Sequence, residues 1–163
     1  MWLSKRQALT LIFAAALSGC GFAPAYGPTG TADQLLSQIT VDAPANRDQQ
    51  LLVQELENRL GRTGAGRYQL DYDLNYDEAR MAVSADNTTT RFNVVGTVAY
   101  ALRDNDHQEI LTTGKVSSFT GYSATSSTVA TLASERDARE RLAVILADKI
   151  VAQLIAATSG MTQ

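Results

Sequence analysis

Two residue counts bound the chemistry open to this chain: it has one Cys, Cys20, and one His, His107. A single Cys forms no intramolecular disulfide and no CxxC metal or redox site. A single His rules out a multi-His zinc centre. His107 follows Asp106, and an Asp–His pair can orient a general base. No Ser or Cys nucleophile motif accompanies it, and the chain lacks GxGxxG, P-loop and GxSxG patterns. His107 therefore reads as a polar turn residue, and no enzyme is expected. Asp71, Asp73 and Asp77, with Glu78 beside them, are oxygen donors suited to a hard cation. Strand neighbours at i and i+2 stand about 7 Å apart, and no Gly-bearing calcium loop is present, so these acids read as a solvated strand face and no metal is expected. Arg91, Arg103 and Lys115 could receive phosphate groups through charge-assisted hydrogen bonds. The competing reading is that they are surface charges that discourage strand aggregation. Tyr68, Tyr72 and Tyr76 read as core aromatics with wet hydroxyl tips.

The elements that hold these residues follow from periodicity. Tyr68, Leu70, Tyr72, Leu74 and Tyr76 alternate with Gln69, Asp71, Asp73, Asn75 and Asp77, which predicts a strand with one buried and one wet face over 68–77. Residues 79–87 read as a connection. Thr88–Arg103 alternates again, with Phe92, Val94, Val98, Tyr100 and Leu102 inside. Gly96 interrupts that face and predicts either a bulge or a close helix contact. Asp104–His107 has hairpin-turn composition, and Glu109–Tyr122 is a fourth strand, rich in Ser and Thr. Ile39–Val41 is a short first strand. Asn46 and Gln49 form a capping-box pattern for a helix over 47–60, and Gly61 stops it. A last helix starts between 128 and 135 and ends near 157, with Ala138, Leu142, Ile145, Leu146, Ile150 and Leu154 as its apolar stripe. Ser134 and Asp137 match a second capping box. Glu135, Arg136, Arg139, Glu140 and Arg141 are expected on its outer face. The order β-α-β-β-β-α predicts an α+β fold, a two-layer sandwich of a four-stranded mixed sheet with two helices packed on one face.

The first residues are an address rather than part of this fold. Lys5 and Arg6 precede an apolar run from Ala8 to Leu17, about 15 Å long as a helix and half a bilayer core. That length suits a secretory signal. The run ends in Leu17-Ser18-Gly19-Cys20, which resembles the bacterial lipoprotein signal, in which the Cys thiol accepts a diacylglyceryl group before cleavage. The expected organisation is a removed signal peptide over 1–19, a lipidated Cys20 with a Gly/Pro-rich tether over 20–36, an α/β domain over 37–158 and a tail over 159–163. Two or three acyl chains, palmitate among them, anchor firmly where one does not. The covalent lipid on Cys20 is the only non-protein group expected, and no cofactor is. Gly21 after the Cys, in place of the Asp that in enterobacteria usually marks inner-membrane retention, favours the outer membrane, facing the periplasm.

The chain has 163 residues, of which 45% are hydrophobic, 7% aromatic and 19% charged, enough apolar surface for one packed domain. The formal net charge is −3, and loss of Lys5 and Arg6 with the leader takes it to −5. No basic nucleic-acid footprint is present. An anionic ligand would therefore be held by a local site and not by the global field.

Cys20-Gly21-Phe22-Ala23-Pro24-Ala25-Tyr26-Gly27 resembles the segment after the lipidated Cys in LptE, the lipopolysaccharide-assembly lipoprotein family, with Ala25 in place of the common Leu. The element order also matches, and Ala133-Ser134-Glu135-Arg136-Asp137-Ala138 looks like the family's alphaproteobacterial branch. The resemblance implies a plug and assembly partner of an LptD-like outer-membrane β-barrel in a 1:1 heterodimer, helping deliver lipopolysaccharide to the outer leaflet. It assigns the lipid site to Cys20. Placement of lipopolysaccharide contacts at Arg91, Lys115 and Arg103 rests on strand position alone, and that of barrel contacts at Ser117 and Thr125 on the polar stretch 112–128. The alternative is an outer-membrane lipoprotein that binds lipid or glycan without a barrel.

Overall fold

The computed structural model describes residues 35–83, 89–125 and 127–161. The elements in order are β1 (Ile39–Val41), α1 (Arg47–Leu60), β2 (Tyr68–Val83), β3 (Thr89–Asp104), β4 (Glu109–Ser123) and α2 (Thr128–Met161). The strands form one sheet in the order β1-β2-β3-β4, with β1 parallel to β2 and the other two pairs antiparallel. A parallel pair needs a crossover, and α1 supplies it. The outcome is the two-layer α+β sandwich that the sequence predicts.

Local chemistry sets the helix ends. The Asn46 side chain accepts the Gln49 N–H at 2.9 Å, and the Gln49 side chain reaches back to the Ala45 N–H at 2.8 Å. Gly61, at φ 89°, ends α1 in a conformation that favours glycine. α2 starts at the early end of its predicted range. Ser127 caps it, its hydroxyl accepting the Ala130 N–H at 3.4 Å. Ser134 is no cap: it lies inside the helix and donates to the Ala130 carbonyl at 3.0 Å. α2 also runs to Met161, past the expected end near 157 and into the expected tail.

One face of the sheet and one stripe of each helix make the core. Leu52, Leu56 and Leu60 come from α1, and Leu142, Leu146, Ile150 and Leu154 from α2. Leu70, Val94, Val98 and Leu102 rise from the strands to meet them. Leu36, before β1, is buried in the same core. Gly96 sits mid-face between Val94 and Val98. A Cβ there would stand 2.7 Å from the Tyr76 ring and 2.8 Å from Leu146 Cδ1. The β2–β3 register continues through it, so it marks close helix approach and not a bulge.

β2 does not end near 77. It continues to Val83, so the expected connection over 79–87 begins as strand. The polarity pattern inverts there: Glu78 and Arg80 now share the helix-side parity and Ala79 the other, and the register shifts at Met81. The cause is helix length. α2, with 34 residues, is about 51 Å long and matches strands of 16 residues at about 53 Å; α1, with 14, is about 21 Å. Beyond Tyr76 no part of α1 covers β2. The tip predicted over Ala85-Asp86-Asn87 lies outside the described residues.

Candidate binding surface

Both helices pack on one face of the sheet, and no element among the described residues covers the other. The uncovered face carries Asp71, Asp73, Asn75 and Asp77 on β2, Arg91, Val95, Thr97, Ala99 and Arg103 on β3, and Lys115, Ser117 and Phe119 on β4. Phe119 is 63% exposed. The surface is thus an acidic edge, a centre of small and β-branched residues, and a hydroxyl-rich margin with one exposed aromatic.

The three expected phosphate-binding cations all lie on this face but do not converge. Arg91 pairs in register with Ser123, Lys115 with Ala99 and Arg103 with Ile110. Eight strand residues, about 26 Å, separate Arg91 from the level of Lys115, and four, about 13 Å, separate that level from Arg103. Arg103 is moreover held by an ion pair to Asp71. Ser117 is on the same face, its hydroxyl donating to the Gly96 carbonyl at 3.1 Å. Thr125 belongs to the bend that starts α2: its N–H reaches Thr131 Oγ1 at 3.0 Å and its hydroxyl the Ser127 carbonyl at 3.3 Å. Cys20 lies outside the described residues.

The other residues with chemical potential are engaged in structure. His107 contacts Asp104, not Asp106, with its Nδ1 3.2 Å away. Asp104 ends β3 almost fully buried and accepts the Asp106 N–H at 2.9 Å and the Arg67 guanidinium at 3.0 Å. Burial pushes its pKa up, but the bonds from Asp106, His107 and Arg67 prevail and hold it at about 2. This carboxylate thereby fixes the β3–β4 turn, which Gln108 completes at φ 55°. In the acidic row, Asp71 binds Arg103 and Asp77 accepts from Asn75 at 3.0 Å. Among the described residues no three His, Cys, Asp or Glu are placed to hold a metal. Tyr72 and Tyr76 depart from expectation: their hydroxyls are buried without a hydrogen-bond partner among the described residues, and burial pushes both phenols up to about 12. The helix layer closes over these tips.

Sequence reasoning missed the junction between the helices. The sequence pattern places Glu135 and Arg139 on an outer face, yet both are half-buried. Arg139 binds Asp48 of α1 and Glu135 of its own helix, each at 2.7 Å, and lies over the Tyr76 ring at 5.8 Å. Arg59 makes the second bridge, to Asp148 of α2 at 2.5 Å and to Glu55 at 2.7 Å. Beside Arg139 is a cleft of about 230 Å³, lined by Arg47, Asp48, Leu51, Leu132 and Glu135, whose central charges are already paired. The i,i+4 spacing of Glu135 and Arg139 was the available signal.

Among the described residues no helix is long and apolar enough to cross a membrane. Among the described residues the sheet is bare on one face and carries two helices on the other, which defines a two-layer α+β sandwich. Residues 36–154 match the family described as LptE, lipopolysaccharide-assembly, and the chain belongs to that family. It is similar to a protein from Caulobacter crescentus CB15, with 26% identity over 80% of this chain and 96% of that one, TM-score 0.68. The fold is shared with rare lipoprotein B from Shewanella oneidensis (10% identity, 77% and 98% of the two chains, TM-score 0.60). A minor lipoprotein from Acinetobacter baumannii shares it too (19% identity, 74% and 92%, TM-score 0.54). No protein of curated function matches this sequence.

Proposed function

We propose that this protein is an outer-membrane lipoprotein subunit of the lipopolysaccharide transport machinery, anchored through acyl chains on Cys20 and facing the periplasm. In this reading the domain is the plug and assembly partner of an LptD-type β-barrel, in a 1:1 complex that delivers lipopolysaccharide to the outer leaflet. Membership of the LptE family carries the reading. The bare sheet face adds physical support. A barrel lumen is polar and wet, and a wedge that enters it needs a polar surface of mixed charge, as this face has. Similarity to the Caulobacter crescentus protein, at 26% identity, supports the alphaproteobacterial branch.

The three cations supply at most separate contacts to an extended anionic ligand, because they are strung along the face. Arg91 and Lys115 are the better contacts of the three, since Asp71 already holds Arg103. Barrel contact falls to β4 and the following bend, through Ser117 and Thr125. Bulky charged substitutions, Ser117→Glu and Thr125→Arg, should lower recovery of the barrel protein with the tagged lipoprotein from native membranes by severalfold. Unchanged recovery across the series rejects that location. If no barrel protein co-purifies with the unaltered chain while lipopolysaccharide still binds, the barrel-independent reading replaces this one.

A further inference from the structure

The two long edges of the sheet are defended in different ways. β2 pairs with β1 only at Tyr68–Leu70, and its remaining length carries Asp71, Asp73, Asp77, Glu78 and Arg80. Charge on an exposed edge is a common defence against pairing with another strand. β4 forms the opposite edge, and over Glu109–Ser123 its only charged residues are Glu109 and Lys115. Val116–Ser123 has none and includes the exposed Phe119. An uncharged, open edge of this kind is a template for strand addition.

The missing defence comes from α2. In an antiparallel pair, alternate residues of an edge strand point their N–H and C=O away from the sheet, and Ser117, Phe119 and Gly121 share one parity. Lys149 Nζ donates to the Ser117 carbonyl at 2.6 Å, and Arg141 Nη2 donates to the Gly121 carbonyl at 3.2 Å. The spacings agree: eight helical residues span about 12 Å and four strand residues about 13 Å. Ile145 lies midway between the two cations and has no donor to offer Phe119.

We propose that Arg141 and Lys149 form a clamp that closes the β4 edge to the β4 segment of a second copy of this chain. The segment is suited to pair with itself. An antiparallel pair centred on Phe119 sets Ser117 against Gly121 and Phe119 against its own copy, with no like charges opposed. The two carbonyls held by α2 are acceptors that this pairing needs. β4 precedes α2 in the chain, so the segment is bare in any copy whose last helix has not docked. The clamp keeps a folded copy from capturing it.

Two measurements on the intact domain test this. Beyond residue 20 the only lysines are Lys115 and Lys149. In the folded chain Lys149 should acetylate more slowly than Lys115, read by mass spectrometry; equal rates overturn the clamp. Arg141→Met with Lys149→Met should bind a labelled peptide of sequence 114–123 about tenfold more tightly than the parent chain. Arg141→Lys, which keeps the cation, should bind it no better than the parent. Equal binding by the double variant and the parent contradicts the proposal. If the double variant does not fold, complete acetylation of the folded parent replaces it, and peptide affinity that does not rise once Lys149 is modified overturns the clamp.

Discussion

At the scale of single residues, Asp104 and Gly96 each set a geometry that no neighbour could replace. Asp104 holds the β3–β4 turn as an anion whose pKa of about 2 lies below the ordinary 3.8. A carboxylate depressed in this way adds stability in full above its unfolded pKa and loses it as pH falls from about 4 through 2. Denaturant titrations across pH 6 to 2 should therefore show a smaller acid-induced loss for Asp104→Asn than for the parent, from a lower starting stability; parallel curves would contradict the assignment. At Gly96 any side chain meets Tyr76 and Leu146. Gly96→Val should cost about 1–3 kcal/mol by overpacking, read as a lower unfolding midpoint. The sequence shows Gly96 as a break in an apolar face and offers two explanations; only the position of Leu146 decides between them. It does not show that His107 turns to Asp104 instead of the adjacent Asp106, because the partners that surround Asp104 include Arg67, 37 residues before it in the chain.

At the scale of elements, the strict alternation of Tyr68–Tyr76 was legible because α1 covers that length of β2. Past Tyr76 the cover ends, Glu78 and Arg80 take the helix side, and the pattern that identifies a strand disappears while the strand itself continues. Glu78 is held there by the Tyr122 hydroxyl at 2.8 Å, and Tyr122 stacks on Phe92 with ring centroids 5.3 Å apart. Burial and the Glu78 carboxylate both push the Tyr122 phenol up. The α1–α2 junction was hidden for a different reason: charged residues read as solvent-facing unless their partners on another helix are known. Arg139 bridges two helices, whereas Arg62, with a side chain 75% exposed, pairs among the described residues only with the nearby Glu57. Arg139→Ala should lower stability by about 1–2 kcal/mol and Arg62→Ala by about 0–0.5 kcal/mol, as measured by chemical denaturation. Equal effects would mean that the bridge holds nothing together. The core of α2 has a larger stake: Leu146→Ala, at a side chain with no exposure, should cost about 2–5 kcal/mol.

At the scale of the whole molecule, the described residues form a packed helical back and a polar sheet face that none of them covers, and the proposed plug role rests on that face together with family membership. The fold class, the element order and the two faces of β2 over 68–77 could be read from the chain. The proposed contact site could not, because the polar residues of the bare face follow no motif. The most direct test is site-specific photocrosslinking in intact cells, with the photoreactive residue at Phe119 on the bare face and, for comparison, at Arg136 on the helix layer. The account predicts a single heavy adduct with an outer-membrane β-barrel protein from position 119 and a much weaker one from position 136. A domain that crosslinks to no barrel from position 119, while it is lipidated and folded at its normal level, would contradict it.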